Sequence, residues 1–120
     1  MQFRAGIIAL SAIAMVGCAS ARASDSNIST AYHGALRCYV LNGDLMKRFK
    51  DSGDGANAAI REKAAHHAYD VAMGYGNVLH LSYDQKSEDI ENTTSSELRK
   101  LLDDSYLKAS LQSCKSQGLM

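Results

Sequence analysis

The 120-residue chain has no proline and no tryptophan, only two phenylalanines and three cysteines, and no excess of charge, with 13 basic residues set against 13 acidic ones. Each shortage excludes something. Without proline no residue locks φ or removes a backbone donor inside a helix, so long helices can run unbroken. The charge balance, with no block of one sign, leaves no electrostatic footprint for nucleic acid or for an anionic membrane surface. The cysteines lack the C-x-x-C spacing of a dithiol oxidoreductase and the C-x-x-C-H of haem attachment. G-x-S-x-G and a phosphate-binding glycine loop are also missing. The most apolar stretch, Ala5 to Val16, interrupted only by Gly6 and Ser11, is too short for a transmembrane segment.

That stretch reads instead as an export signal. Arg4 supplies a minimal positive start, the apolar run follows, and Ala21-Arg22-Ala23 offers the small-x-small pattern cut by a signal peptidase, making 1–23 a signal peptide. The same segment carries Met15-Val16-Gly17-Cys18-Ala19-Ser20, which is similar to a bacterial lipoprotein box. Two routes are therefore open: release after Ala23, or lipidation at Cys18 as an outer-membrane lipoprotein, the only way in which this chain would be membrane-anchored. Release removes Arg4 and Arg22 and leaves a mature chain two charges negative.

Either route takes Cys18 out of the thiol count, so Cys38 and Cys114 remain as a pair in an oxidising compartment, periplasmic or secreted, where a disulfide forms and persists. A mature domain of this size has a modest core. A staple closing most of its length contributes about 4–5 kcal/mol by the chain-entropy estimate.

Helix-forming residues dominate the remainder. After a flexible segment 24–30, the single domain 31–120 opens with a helix to about Lys50, its apolar or small positions Tyr32, Leu36, Tyr39, Val40, Gly43, Met46 and Phe49 at helical spacing. Asp51-Ser52-Gly53-Asp54-Gly55 breaks it. A second helix, Ala56 to His80, is predicted to bury Ile60, Ala64, His67, Ala68, Val71, Tyr75 and Val78. Its alanines with Gly74 and Gly76 form a slim surface, though the two glycines can equally end or kink it. Asp84 to Glu91 suggests a short third helix. Thr94-Ser95-Ser96-Glu97 has the capping-box pattern for a last one, with Leu98, Leu101, Leu102, Tyr106, Ala109 and Cys114 inward and Gly118 as its stop. The expectation is an all-α, three- or four-helix bundle whose disulfide joins the first and last helices.

Candidate chemistry is sparse. Glu62, His66 and Asp70 stand at successive i,i+4 positions and are all types that ligate zinc, but the same spacing makes ordinary surface ion pairs and no fourth ligand is evident, so no metal or other cofactor is expected. Asp51 to Glu62 has the length of a calcium loop, yet Gly53 and Gly55 stand at ligand positions and Ala56 at the required glycine. Six tyrosines against two phenylalanines suit either the edges of a small core or an interface.

The signal segment, Leu36-Arg37-Cys38-Tyr39-Val40-Leu41, the alanine-rich middle helix and the closing Cys114-Lys115-Ser116-Gln117-Gly118-Leu119 resemble short secreted two-cysteine helical proteins of Gram-negative bacteria with no assigned function. More weakly, the chain is similar to periplasmic immunity proteins that block peptidoglycan amidases delivered by type VI secretion, although Cys114 lies nearer the C-terminus than in that family. The resemblance and the absent catalytic motifs imply a non-enzymatic module that binds another extracytoplasmic protein, in its sharpest version as an immunity-type inhibitor of a cell-wall-targeting toxin. The alternative is a small periplasmic metal- or ligand-binding carrier.

Overall fold

The computed structural model describes the backbone of residues 2–120 and the side chains of residues 25–120. The expected signal segment, with Cys18 and the cleavage site at Ala23, lies outside the residues whose side chains are described. Four α-helices and no strand occur among the described residues: α1 (Gln2–Asp51), α2 (Gly55–Val78), α3 (Tyr83–Lys100) and α4 (Asp104–Ser116). The segment 25–30, expected to be flexible, carries helical backbone continuous with α1.

The centre of the domain is the middle of α1. Tyr32, Ala35, Leu36, Cys38, Val40, Leu41 and Asn42 are all buried, more positions than one helical face can hold, because α2, α3 and α4 each pack against α1. Asn42 is the polar member of this set. Its side-chain amide donates to the carbonyl of Cys38 at 2.9 Å and to that of Leu119 at 3.0 Å, fastening the chain beyond α4 to the central helix.

Against this bulky surface α2 presents its smallest residues. Ala58, Ala64, Ala65, Ala68, Ala72 and Gly76 are buried, and a Cβ added to Gly76 would stand 3.4 Å from the Tyr32 ring and 3.1 Å from Lys86. The predicted stripe is corrected here: Ile60 is 59% exposed, Val78 57% exposed, and His67 faces solvent. A face of methyl groups lets the two helices approach closely, and α1 supplies the large side chains, so the branched residues of α2 fall on its flank. Gly74 and Gly76 neither end nor interrupt the helix.

The helix ends follow local chemistry. Gly53, His80 and Gly118 adopt positive φ, and the residue after each donates back five positions, to Phe49, Gly76 and Cys114, satisfying terminal carbonyls of α1, α2 and α4. Asp54 caps α2 by accepting from the Asn57 amide. A capping box does open α3, but it is Ser82 with Gln85, not Thr94 with Glu97. Thr94 lies mid-helix with its hydroxyl turned to the Ile90 carbonyl. The expected short third helix and the start of the last one are thus a single element.

The break comes at Leu101-Leu102-Asp103, where the Asp103 carboxylate accepts from the Tyr106 amide and starts α4. Turning there buries Leu101 while leaving Leu102 78% exposed, and Leu98 and Ala109 are exposed as well, so three of the expected inward positions are not inward. Arg48 secures the turn, reaching the Leu101 carbonyl at 3.0 Å and Asp44 at 2.9 Å.

Cys38 and Cys114 form the disulfide joining α1 to α4. The two cysteines are 76 positions apart, and reduction or Cys38→Ser removes a constraint on the unfolded chain of about 4 kcal/mol. Urea unfolding followed by circular dichroism should give a clearly lower midpoint with the helical signal retained before the transition, and the oxidised, denatured mature protein should show no free thiol. Ala72→Leu, which inserts three carbons where α2 meets α1, should cost about 1–3 kcal/mol in the same assay.

Candidate functional site

After α2 the chain reverses through Leu79–Ser82 into α3, and both helices rest on α1. Between them lies an open valley. At one end a cavity of about 410 Å³ is lined by Tyr39, Val40, Gly43 and Met46 of α1, Glu62, Ala65 and His66 of α2, and Thr94 and Leu98 of α3. At the other, a recess of about 310 Å³ lies between Tyr69 and Met73 of α2 and Tyr83, Lys86, Ser87 and Ile90 of α3. The pairing of falling residue numbers on α2 with rising numbers on α3 shows that the walls run antiparallel. Tyr39 and Tyr69 join the two recesses, with ring centroids 5.5 Å apart in a tilted arrangement.

The valley is apolar at its floor and wet at its rim. Tyr69 and Leu98 are exposed, Tyr83 is 80% exposed, and Lys86 reaches across to the Asn77 side chain. These are large apolar surfaces to leave uncovered.

The structure divides the expected metal trio. Glu62 and His66 line the larger recess, whereas Asp70 is exposed and lines neither. No group of three or more His, Cys, Asp or Glu side chains is placed to hold a metal ion among the described residues. The i,i+4 spacing holds the first two side by side on one edge of α2, but nothing on α1 or α3 completes a coordination shell.

A second region surrounds the disulfide. A recess of about 210 Å³ is bounded by Gly34, Arg37 and Cys38 of α1, Glu97 of α3, and Tyr106, Ser110, Ser113 and Cys114 of α4. Glu97 is buried there, and its carboxylate accepts from the Tyr106 hydroxyl at 2.6 Å, while Lys100 stands 3.9 Å from the other oxygen and 5.8 Å from the Tyr106 ring centroid. Burial, and then the bond to Glu97, pushes the Tyr106 phenol above its ordinary value. Tyr32 repeats the device: it donates to Asp89 at 2.9 Å, and burial followed by that bond raises its phenol strongly. Each tyrosine ties α3 to a neighbouring helix. The two carboxylates are thus occupied as structural acceptors.

The six tyrosines do not share one environment, and Tyr75 packs against the buried core. Tyr32 and Tyr106 are internal hydrogen-bonding posts, and Tyr39, Tyr69 and Tyr83 line the valley. Glu97 gave no sign in the sequence of being buried, since it sits among polar residues, and only its i,i+9 relation to Tyr106 across the α3–α4 turn explains it.

No protein-family model matches the chain, and no curated protein or solved structure is significantly similar to it. Among the described residues no helix is long and apolar enough to cross a membrane.

Because the raised phenols hold their protons in the folded state while unfolded tyrosine ionises near pH 10, their contribution is complete below that value and is lost as pH climbs from there through the raised folded values. Urea midpoints measured from neutral to strongly alkaline pH should fall on the alkaline limb. Tyr32→Phe should flatten that fall while lowering stability at neutral pH by about 1 kcal/mol or more, since Asp89 loses a donor.

Proposed function

We propose that this protein is an exported, non-enzymatic helical module that acts by binding another extracytoplasmic protein, in its sharpest form as an immunity-type inhibitor of a cell-wall-targeting toxin. The observation that carries the reading is the valley between α2 and α3, where Tyr39, Tyr69, Tyr83, Met46, Met73 and Leu98 form an aromatic and methionine-rich surface open to solvent. Tyrosine and methionine are enriched in the cores of protein interfaces, and tyrosine offers large area at small entropic cost. The staple between α1 and α4 keeps the scaffold that presents this surface rigid, which lowers the cost of binding. It also suits an oxidising compartment. Export by the segment before Ser24, with release or with lipidation at Cys18, completes the reading.

A second reading is favoured by the larger recess alone. At about 410 Å³ it falls within the range of small-ligand pockets, with Glu62 and His66 as polar handles on an apolar wall, as a carrier would need. Metal analysis of protein purified without chelator, together with mass spectrometry of anything extracted from it, separates the two.

The decisive experiment uses the oxidised mature protein and the amidase encoded beside its gene, if the neighbourhood contains one. Addition at equimolar ratio should stop peptidoglycan hydrolysis, and Tyr83→Asp, at an exposed position, should weaken the inhibition by about tenfold or more. Unimpeded hydrolysis would remove the immunity form. Pulldown from periplasmic extracts, including those of competitor strains, tests the broader form, which falls if no saturable protein partner is retained. Intact mass of the exported protein reports whether it begins at Ser24 or carries lipid.

A further inference from the structure

The walls of the valley say more about what lies in it. On α3 the residues that line it, Tyr83, Ser87, Ile90 and Thr94, follow i, i+4, i+7 spacing. One position further on, Asp84, Glu88 and Glu91 repeat the same spacing and are all exposed, so they form an acidic shoulder along the outer edge of that wall. On α2, Glu62 lies at the rim, while Asp70, exposed, falls further round the helix in line with the exposed Lys63, so that edge is mixed in charge. None of these five carboxylates takes part in the ion pairs among the described residues. The basic residues that line the valley are Lys47 at one end and Lys86, already turned to Asn77.

Floor and walls are all helical, so their backbone donors and acceptors are used internally and there is no sheet edge for an added strand. Recognition must come through side chains. From Tyr83 to Leu98 the α3 wall runs about 22 Å, the length of a four-turn helix.

Resting on the protein-binding reading above, we propose that the valley is the docking site for an amphipathic helix of the partner, with its apolar face on Tyr39, Tyr69, Tyr83 and Leu98 and lysine or arginine residues flanking that face against the acidic shoulder of α3 and Glu62 at the rim of α2. The apolar floor supplies affinity through anchors spaced at helical intervals. The carboxylates of that shoulder and of Glu62 supply orientation, association rate and a preference for a basic over an acidic helix.

The test uses the oxidised mature protein and two synthetic helices of about 15 residues, each with leucine along one face, one carrying lysine and the other glutamate on the remaining positions. Titrations followed by amide chemical shifts should show saturable binding of the leucine–lysine peptide, with perturbations along α2 from Glu62 to Met73 and along α3 from Tyr83 to Leu98. The leucine–glutamate peptide should bind at least about tenfold more weakly, and raised salt should narrow that difference. Tyr83→Ala should weaken the leucine–lysine peptide by about tenfold, which separates docking in the valley from diffuse attraction to acidic surface. Asp84→Asn with Glu91→Gln should weaken it further while leaving the fold unchanged by circular dichroism. Perturbations centred on α4, equal affinity for the two peptides, indifference to Tyr83→Ala, or no binding at all would each overturn the proposal. If the peptide fails while a protein partner is still retained, the occupant is wrong and the binding reading stands. If both fail, the binding reading goes with it.

Discussion

Everything in this domain is hung on one helix. The stretch of α1 from Tyr32 to Asn42 is buried by three separate neighbours, and those neighbours reach it in different ways: α2 through methyl groups and Gly76, α3 through the Tyr32–Asp89 bond, α4 through the disulfide. Hydrophobic burial of this kind is non-directional, so it brings the helices together without fixing their rotation. The two tyrosine–carboxylate bonds, the Asn42 amide and the Arg48 contact with Leu101 are directional, and they select one arrangement from those that would bury similar area. Tyr32, Asn42 and Glu97 are buried, where an unmade bond is costly.

How the sequence encodes this arrangement differs from helix to helix. The first helix, the loop at Gly53, the stop at Gly118, the all-α class and the Cys38–Cys114 pairing are legible because each rests on a local rule: apolar spacing, a glycine at positive φ, or two cysteines left to one another. The face of α2 is not legible in the same way. Hydrophobic spacing points to Ile60 and Val78, whereas close approach between helices rewards small residues, and a sequence does not say which of the two a neighbour will demand. The divide between α3 and α4 fails for a related reason. Thr94 and Glu97 have the right types for a helix start, but so do Ser82 and Gln85, and the choice is settled by which turn lets Leu101 reach the core.

The candidate site was only partly visible. Glu62 and His66 do share a recess, but as rim residues of an apolar valley and without Asp70, because three turns of one helix cannot surround a ligand unless another element closes over them. For the tyrosines the sequence left a core edge and an interface as alternatives, and nothing in their spacing distinguishes Tyr32, sealed against Asp89, from Tyr83, almost wholly in solvent. The valley itself comes from the way two helices straddle a third, a property of topology that no single segment carries.

Each wall of the valley is fastened chiefly to its floor, with Lys86 and Asn77 reaching between the walls, since the extensive helix packing all runs through α1. The side chains that would touch a partner, Tyr69, Tyr83, Leu98 and Glu62, are outside the set that holds the domain together. If the valley is the binding surface proposed above, such a division would let it drift under selection while the scaffold stays fixed, because a change on the rim is not also a change in the core. On the binding reading, a module of this build would be able to change its partner many times within one fold.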